Sequence, residues 1–230
     1  MPSLSPLLRK AGADALALLL AATCAGCDEP GTMLCEGCRV RLRASPRELR
    51  TPAGLRVVAA TAFESVAAHC IRRLKDAGET VVARPLGRVL RGVLRTELAD
   101  SGVGGLARAV PVPTSRRSYR RRGYRVPELL VRSAGEDPLR LLSLDRRGVD
   151  QRGLDAGQRS ENVHGSMRAR RSGRGEPIVL VDDVMTTGST FDEAARALEE
   201  AGLEVVSAVA LAATPRLSER NANASGTRRK

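Results

Sequence analysis

Hydrophobic positions along this chain fall into runs of two kinds. Ile178 to Val181, after Pro177, form an uninterrupted apolar run rich in β-branched residues. Such a run, without polar alternation, predicts a strand buried on both faces, as in a parallel sheet. Phe191, Ala194, Ala195 and Leu198 then recur at helical spacing, with Asp192 and Glu193 in the first turn and Gly202 beyond the end. Acids near a helix start and glycine near its stop fit the helix dipole and the left-handed cap. Leu203 to Ala212 predict a last strand. Upstream, Phe63, Val66, Ala67, Cys70, Ile71 and Leu74 keep helical spacing; Arg72, Arg73 and Lys75 close that helix and Gly78 stops it. A second helix runs through Leu86, Val89, Leu90, Val93 and Leu94, with Pro85 near its start. Residues 108–113 predict a short strand with a stiff proline exit, and Val126, Leu129 and Leu130 begin another helix.

The polar intervals divide the chain. Residues 41–56 read as a linker, and Gly102 to Gly105 as a turn. Residues 143–175 are polar and show little periodicity, and 144–163 are expected to form a mobile flap over a ligand. The stretch 15–22 is apolar behind Arg9 and Lys10, but Asp14 interrupts its start, so residues 5–22 read as an amphipathic helix rather than a signal peptide. No apolar run reaches the roughly 20 residues of a membrane span, and a cytoplasmic location is expected. The expected domains are 1–45, a helix with a cysteine cluster; 55–213, the α/β unit; and 214–230, a disordered basic tail.

Composition changes this picture in two ways. Aromatics make up only 2% of the 230 residues, so Leu, Val, Ile and Ala must build the core. The net charge of +12 favours polyanionic partners, either phosphate ligands or nucleic acid.

Chemistry concentrates in three stretches. Behind the 178–181 strand stand Asp182 and Asp183, then Thr186, Thr187, Gly188, Ser189 and Thr190, then the helix. Ligands of open α/β sheets lie beyond the carboxyl ends of the strands, and a helix N-terminus with hydroxyl donors suits a phosphate. Carboxylates repel phosphate, so the two acids need sugar hydroxyls or a divalent metal; a ribose 5-phosphate satisfies both halves. A Walker-type loop is excluded, since no Gly-Lys-Ser/Thr is present. The second stretch, 116–125, carries Arg116, Arg117, Arg120, Arg121, Arg122 and Arg125 with both tyrosines of the chain. Arginine forks and tyrosine rings suit phosphate oxygens and stacked bases, so a phosphate ligand and single-stranded nucleic acid both remain open. The third holds Cys24, Cys27, Cys35 and Cys38 as two CxxC pairs, a spacing for one tetrahedral zinc ion in a structural role. Two disulfides would require an oxidising compartment. Cys70 stands apart on an apolar helix face and reads as core.

The stretch 178–190 resembles the thirteen-residue signature of type I phosphoribosyltransferases. With the double CxxC, Leu74-Lys75 and Gly78, the 110–113 VPVP, the 121–124 RRGY and the 151–163 run, the chain resembles the ComF family, linked to DNA uptake and use of imported DNA. That resemblance implies a type I phosphoribosyltransferase-like α/β fold with a central parallel sheet and a small N-terminal zinc segment. It implies Mg2+ with phosphoribosyl pyrophosphate (PRPP) as ligand. Asp182 and Asp183 would face the ribose hydroxyls, directly or through Mg2+. Residues 186–190 would hold the 5-phosphate, and Arg116, Arg117, Arg121 and Arg122 the pyrophosphate. Two functions are compatible with it: pentosyl transfer to a nitrogen acceptor, or a non-catalytic module for single-stranded DNA with a helicase or other uptake protein as partner.

Overall fold

The structure is a computed structural model and describes residues 23–100, 107–145 and 164–214. In chain order its elements are α1 (Glu36–Arg41), β1 (Arg47–Arg50), β2 (Arg56–Ala62) and α2 (Ser65–Arg72), which widens into a π-helical turn (Arg73–Ala77). A single 3-10 turn (Thr80–Val82) leads into α3 (Ala83–Ala99). Next come β3 (Arg108–Pro111), α4 (Arg116–Arg122), α5 (Val126–Ala134), β4 (Leu142–Leu144), β5 (Met167–Ala169), β6 (Pro177–Met185), α6 (Ser189–Glu199) and β7 (Glu204–Ala213). The expected 5–22 helix, the 102–105 turn, most of the 144–163 flap and the tail beyond Thr214 lie outside the described residues.

Five strands pair in the order β1-β2-β7-β6-β3. β2, β7, β6 and β3 run parallel, and β1 adds to the β2 edge in the antiparallel sense. The apolar run at 178–181 lies on an interior strand of this sheet, between β7 and β3, and all four residues are at most 1% exposed. Helices cover both faces, as βαβ crossovers require. Val179, Val181, Val209 and Leu211 pack with α2, α3 and α5 on one face. Ile178, Leu180, Ala208 and Ala210 pack with Phe191, Ala194 and Leu198 of α6 on the other. Pro111 ends β3, an edge strand, where its missing N–H costs the sheet little. The fold is thus the expected α/β unit with a mostly parallel sheet.

Two elements differ from expectation. The stretch 41–56 is not a linker: it holds β1 and the turn into β2. Of β1 only Leu49 is even half-buried, because this edge strand packs little of its surface, so no alternation marks it. β2 carries no strand signal in the sequence, although Val57 to Ala60 are all buried. Its alanines have no β preference, which leaves the run ambiguous by composition. The polar 143–175 region also begins and ends in order: β4 and β5 form a separate two-stranded antiparallel ribbon at the base of the expected flap.

The cysteine segment is not set apart from the α/β core. Cys24, Ala25, Leu34, Cys38 and Leu42 belong to the same buried cluster as Val66, Cys70, Ile71, Leu74 and Leu86. Cys70 is fully buried, as its place on the apolar face predicts.

Candidate functional site

Three loops leave the carboxyl ends of parallel strands on one side of the sheet. β6 runs into Thr186 to Thr190 and α6, β3 into α4, and β2 into α2 and its π-helical turn. A ligand crevice is expected at that end. Thr186 and Thr187 are exposed, and Ser189 and Thr190 are half-buried. Thr187 Oγ1 lies 3.1 Å from Ser189 Oγ and accepts a long bond from the Ser189 N–H at 3.4 Å. The N-cap of α6 is Gly188, which contributes no side-chain cap, so the first turn of this helix relies on Thr187 and on whatever binds there. Gly188 has φ +91, and a Cβ here would stand 3.0 Å from Thr51 Cγ2 and 3.1 Å from Met185 Cε. The glycine therefore serves the left-handed turn and close packing against the β1–β2 hairpin, a role the sequence does not reveal. That hairpin also reaches the helix start, where the Ala53 N–H donates to Asp192 Oδ2 at 3.2 Å.

The two acids lie inside β6, before the loop. The Asp183 N–H donates to Asp182 Oδ1 at 2.8 Å. Burial first, and the Asp183 charge second, push the Asp182 carboxyl up from 3.8 to about 8. Asp183, 7% exposed, is held by Lys75, whose Nζ donates to Oδ1 at 2.9 Å and lies 2.8 Å from Oδ2. Lys75 is a site residue that the sequence presents only as a helix-closing charge. It is the cation resident on the acid pair. Adjacent carboxylates with free oxygen valence are also the donor set that Mg2+ takes, so these residues fit that ion.

Most of the basic stretch forms the helix α4. Ser115 caps α4 by accepting the Ser118 N–H at 3.1 Å, and Gly123 ends it at φ +81. None of its residues is buried. Its C-terminal end is tied to the π-helical turn: the Tyr124 hydroxyl donates to the Leu74 carbonyl, and Arg121 donates to Asp76 Oδ1 at 3.2 Å. Arg122 Nε is buried without a hydrogen-bond partner, a donor that an anion would satisfy. The structure thus brings Arg121 and Arg122 to the turn that carries Lys75. Arg116 and Arg117 lie at the exposed first turn of α4, at its other end. Arg125 stacks over the Tyr119 ring at 4.4 Å, so this tyrosine already holds a cation on one face.

On the far side of the sheet, Glu193 of α6 holds the start of β5. It is 3% exposed and accepts N–H bonds from Met167 at 2.7 Å and Gly165 at 3.0 Å, with Arg196 Nε at 2.8 Å among its partners. Residues 165–167 are therefore fastened to α6.

The cysteine cluster meets the geometry of a metal centre. The Sγ atoms of Cys24, Cys27, Cys35 and Cys38 all lie within 4.8 Å of one another, and those of Cys27 and Cys35 are 3.7 Å apart. Tetrahedral sulfur ligation at about 2.3 Å places sulfurs about 3.8 Å apart. Backbone N–H groups point at the sulfurs: Gly26 and Cys35 donate to Cys24 Sγ at 3.4 and 3.3 Å, and Cys38 to Cys35 Sγ at 3.4 Å. Burial opposes ionisation of Cys24, yet these donors bring it down to about 7, while burial pushes Cys38 up. A metal dication such as zinc would resolve that conflict by letting all four ionise. Gly26 admits this packing, since a Cβ there would meet Cys38 Sγ at 2.7 Å.

Fold and site together define a phosphoribosyltransferase-like α/β protein. The family model described as phosphoribosyl transferase domain matches residues 121–226, which include the acid pair and the hydroxyl loop. Competence protein F of Haemophilus influenzae is 30% identical over 150 residues, 62% of this chain and 66% of that protein. DNA utilization protein YhgH of Escherichia coli K12 is 27% identical over 162 residues, 68% of this chain and 71% of that protein. The chain thus spans about two thirds of the length of these relatives. Among solved structures, orotate phosphoribosyltransferase from Aeropyrum pernix aligns with 83% of this chain and 97% of its own, at 16% identity and a TM-score of 0.35; the fold assignment rests on the strand order and the domain match instead. With its paired CxxC cluster and these homologues, the chain belongs to the ComF family.

Proposed function

We propose that this protein binds PRPP or another ribose phosphate, in a role linked to competence or DNA utilization as the names of its relatives suggest. The observation that carries the reading is the adjacency of unlike chemistries. At the end of β6 an acid pair, Asp182 half-buried and Asp183 buried, is followed within a few residues by a hydroxyl-lined helix N-terminus. The Thr186 to Thr190 segment takes the 5-phosphate on hydroxyl and backbone donors. Asp182 and Asp183 take the ribose hydroxyls. Arg121 and Arg122, with Arg116 and Arg117 on the outer turn, face the pyrophosphate. Asp182 and Asp183 are the residues that would hold Mg2+, which supplies charge neutralisation for the diphosphate when bound. If turnover occurs, positive charge developing on the ribose is stabilised by the nearby carboxylates. The acceptor nitrogen attacks ribose C1 and pyrophosphate leaves with the bonding electrons.

Calorimetric titration of PRPP, with and without Mg2+, tests the reading. Asp182→Asn with Asp183→Asn weakens Mg2+-PRPP by about ten- to a hundredfold, the value of charged hydrogen bonds to a diol. Inorganic phosphate binding survives the change. A double variant that binds Mg2+-PRPP as tightly as wild type overturns the assignment. Pyrophosphate release with a panel of bases separates transferase from binding module.

A second reading has its own support. α4 presents Arg116, Arg117, Arg120 and Arg121 to solvent, with Tyr119 40% exposed beside them. This face suits single-stranded DNA, and through it an uptake protein such as a helicase could hand over its strand. Structural zinc in the cysteine cluster and a cytoplasmic location are part of the same proposal; no described helix is long and apolar enough to cross a membrane.

A further inference from the structure

The π-helical turn Arg73–Ala77 touches the cysteine cluster, the acid pair and the basic helix within five residues. Arg73 reaches the cysteine cluster: its Nη1 lies 2.7 Å from Asp28 Oδ1, and its Nη2 donates to Thr23 Oγ1 at 2.8 Å. These two partners flank the first CxxC, immediately before Cys24 and immediately after Cys27. Leu74 is fully buried, and its carbonyl accepts the Tyr124 hydroxyl. Lys75 holds Asp183 of the acid pair, and Asp76 holds Arg121 of the basic helix. Wide helical turns of this kind are rare and concentrate at functional sites. Here a buried leucine anchors the turn, and its polar groups are committed in three directions.

We propose that this turn couples the cysteine cluster to the ribose-phosphate site. Arg73 is the positioning residue, and metal in the cluster sets the affinity of the acid pair for its ligand. The inference rests on the proposed ribose-phosphate reading of that site. The physical path is short. Asp28 sits at φ +62, a left-handed conformation that aspartate adopts more readily than most non-glycine residues. The cysteine loop holds it there: the Asp28 N–H donates to the Cys24 carbonyl at 2.8 Å, and Cys27 precedes it. A metal that gathers the four sulfurs fixes this loop and presents Asp28 and Thr23 to Arg73. Without it the left-handed turn relaxes and Arg73 keeps only Glu79, 2.7 Å from its Nη2. Two residues further on, Lys75 then loses the anchored backbone that places its ammonium on Asp183.

The test is a cycle of two perturbations on the full chain. Zinc is retained or chelated, in wild type and in Arg73→Gln, with zinc content measured in each. Affinity for Mg2+-PRPP is read by calorimetry, and amide exchange over residues 182–188 is read without ligand. In wild type, chelation weakens binding by about fivefold or more, the lower end of ordinary site-to-site coupling, and speeds exchange over 182–188. Arg73→Gln keeps its zinc but binds at the weakened level already, and chelation changes it by less than about twofold. Thr23→Val with Asp28→Asn cuts the same link from the cluster side and leaves the turn itself intact; asparagine tolerates the left-handed conformation. Equal weakening of wild type and variants on chelation, or variants as tight as wild type, overturns the coupling. If wild type does not bind PRPP, the ribose-phosphate reading fails, and the exchange data alone decide whether the turn transmits the state of the cluster.

Discussion

Replacing Lys75 by methionine isolates the charge that holds the acid pair together. Methionine keeps the length and apolar stem of lysine and removes only the ammonium. The pair it breaks is well enclosed: the side chains of Lys75 and Asp183 are 28% and 10% exposed. A surface pair contributes about 0–1 kcal/mol, whereas removing one partner of a buried pair costs about 3–5 kcal/mol. With both side chains only partly out of water, the loss lies between these limits, and we expect Lys75→Met to lose about 2–4 kcal/mol at pH 7. Urea denaturation measures this directly. Added Mg2+ should stabilise the variant more than wild type, because only in the variant do the acids lack a resident cation. A loss below about 1 kcal/mol at pH 7 refutes the reasoning.

The same geometry sets four further expectations. Asp182→Asn should stabilise the protein increasingly as pH rises: a carboxyl raised to about 8 makes the folded state bind more protons than the unfolded one between about 4 and 8, so its burden grows across that window and levels off above it; a pH-independent difference in denaturation midpoint contradicts this. Purified protein should carry about one zinc per chain by elemental analysis, and Cys35→Ser should lose the metal and destabilise the cluster, since structural zinc contributes folding free energy. Arg121→Ala with Arg122→Ala should weaken binding of anions or DNA and flatten its salt dependence, and an unchanged slope of affinity against salt would return these side chains to a solvated role. Gly188→Ala should cost about 1–2 kcal/mol from its left-handed backbone alone, with further loss from the 3.0 Å contact with Thr51, seen as a lowered melting temperature even without ligand.

Features whose signal is local are legible in the sequence. The β6–loop–α6 unit combines a buried strand, two acids, a hydroxyl loop and a helix of period 3.6 within a continuous stretch, so pattern and chemistry read together. The cysteine cluster is equally local: two CxxC pairs need only a turn each to converge. β1 and β2 are not legible, for opposite reasons. Arg47, Glu48 and Arg50 face solvent on an edge strand, so there is no apolar alternation to find. In β2, alanines hide a strand that is buried over Val57 to Ala60, because small residues satisfy helix and sheet alike. Gly188 reads as an opening for phosphate, yet the space beside it is filled by Thr51, 137 positions away by number (188 − 51) and brought there by a hairpin that the sequence itself conceals.

The pairing of Lys75 with Asp183 spans 108 positions and shows why site membership is harder to read than site chemistry. A lysine after Ile71 and Leu74 has a sufficient local explanation as a favourable charge near a helix C-terminus. Nothing within that turn indicates that β6 lies across from it; that depends on sheet order, with β7 inserted between β2 and β6. The widening of the helix over Arg73–Ala77 is equally silent, since a π-helical turn buries Leu74 much as an α-helical one would. Lys75 lies inside that widened turn, where each residue advances by less than the roughly 100° of an α-helix. Its seat on a buried carboxylate therefore follows from a local irregularity and a sheet order together, and neither is written in the residues around it.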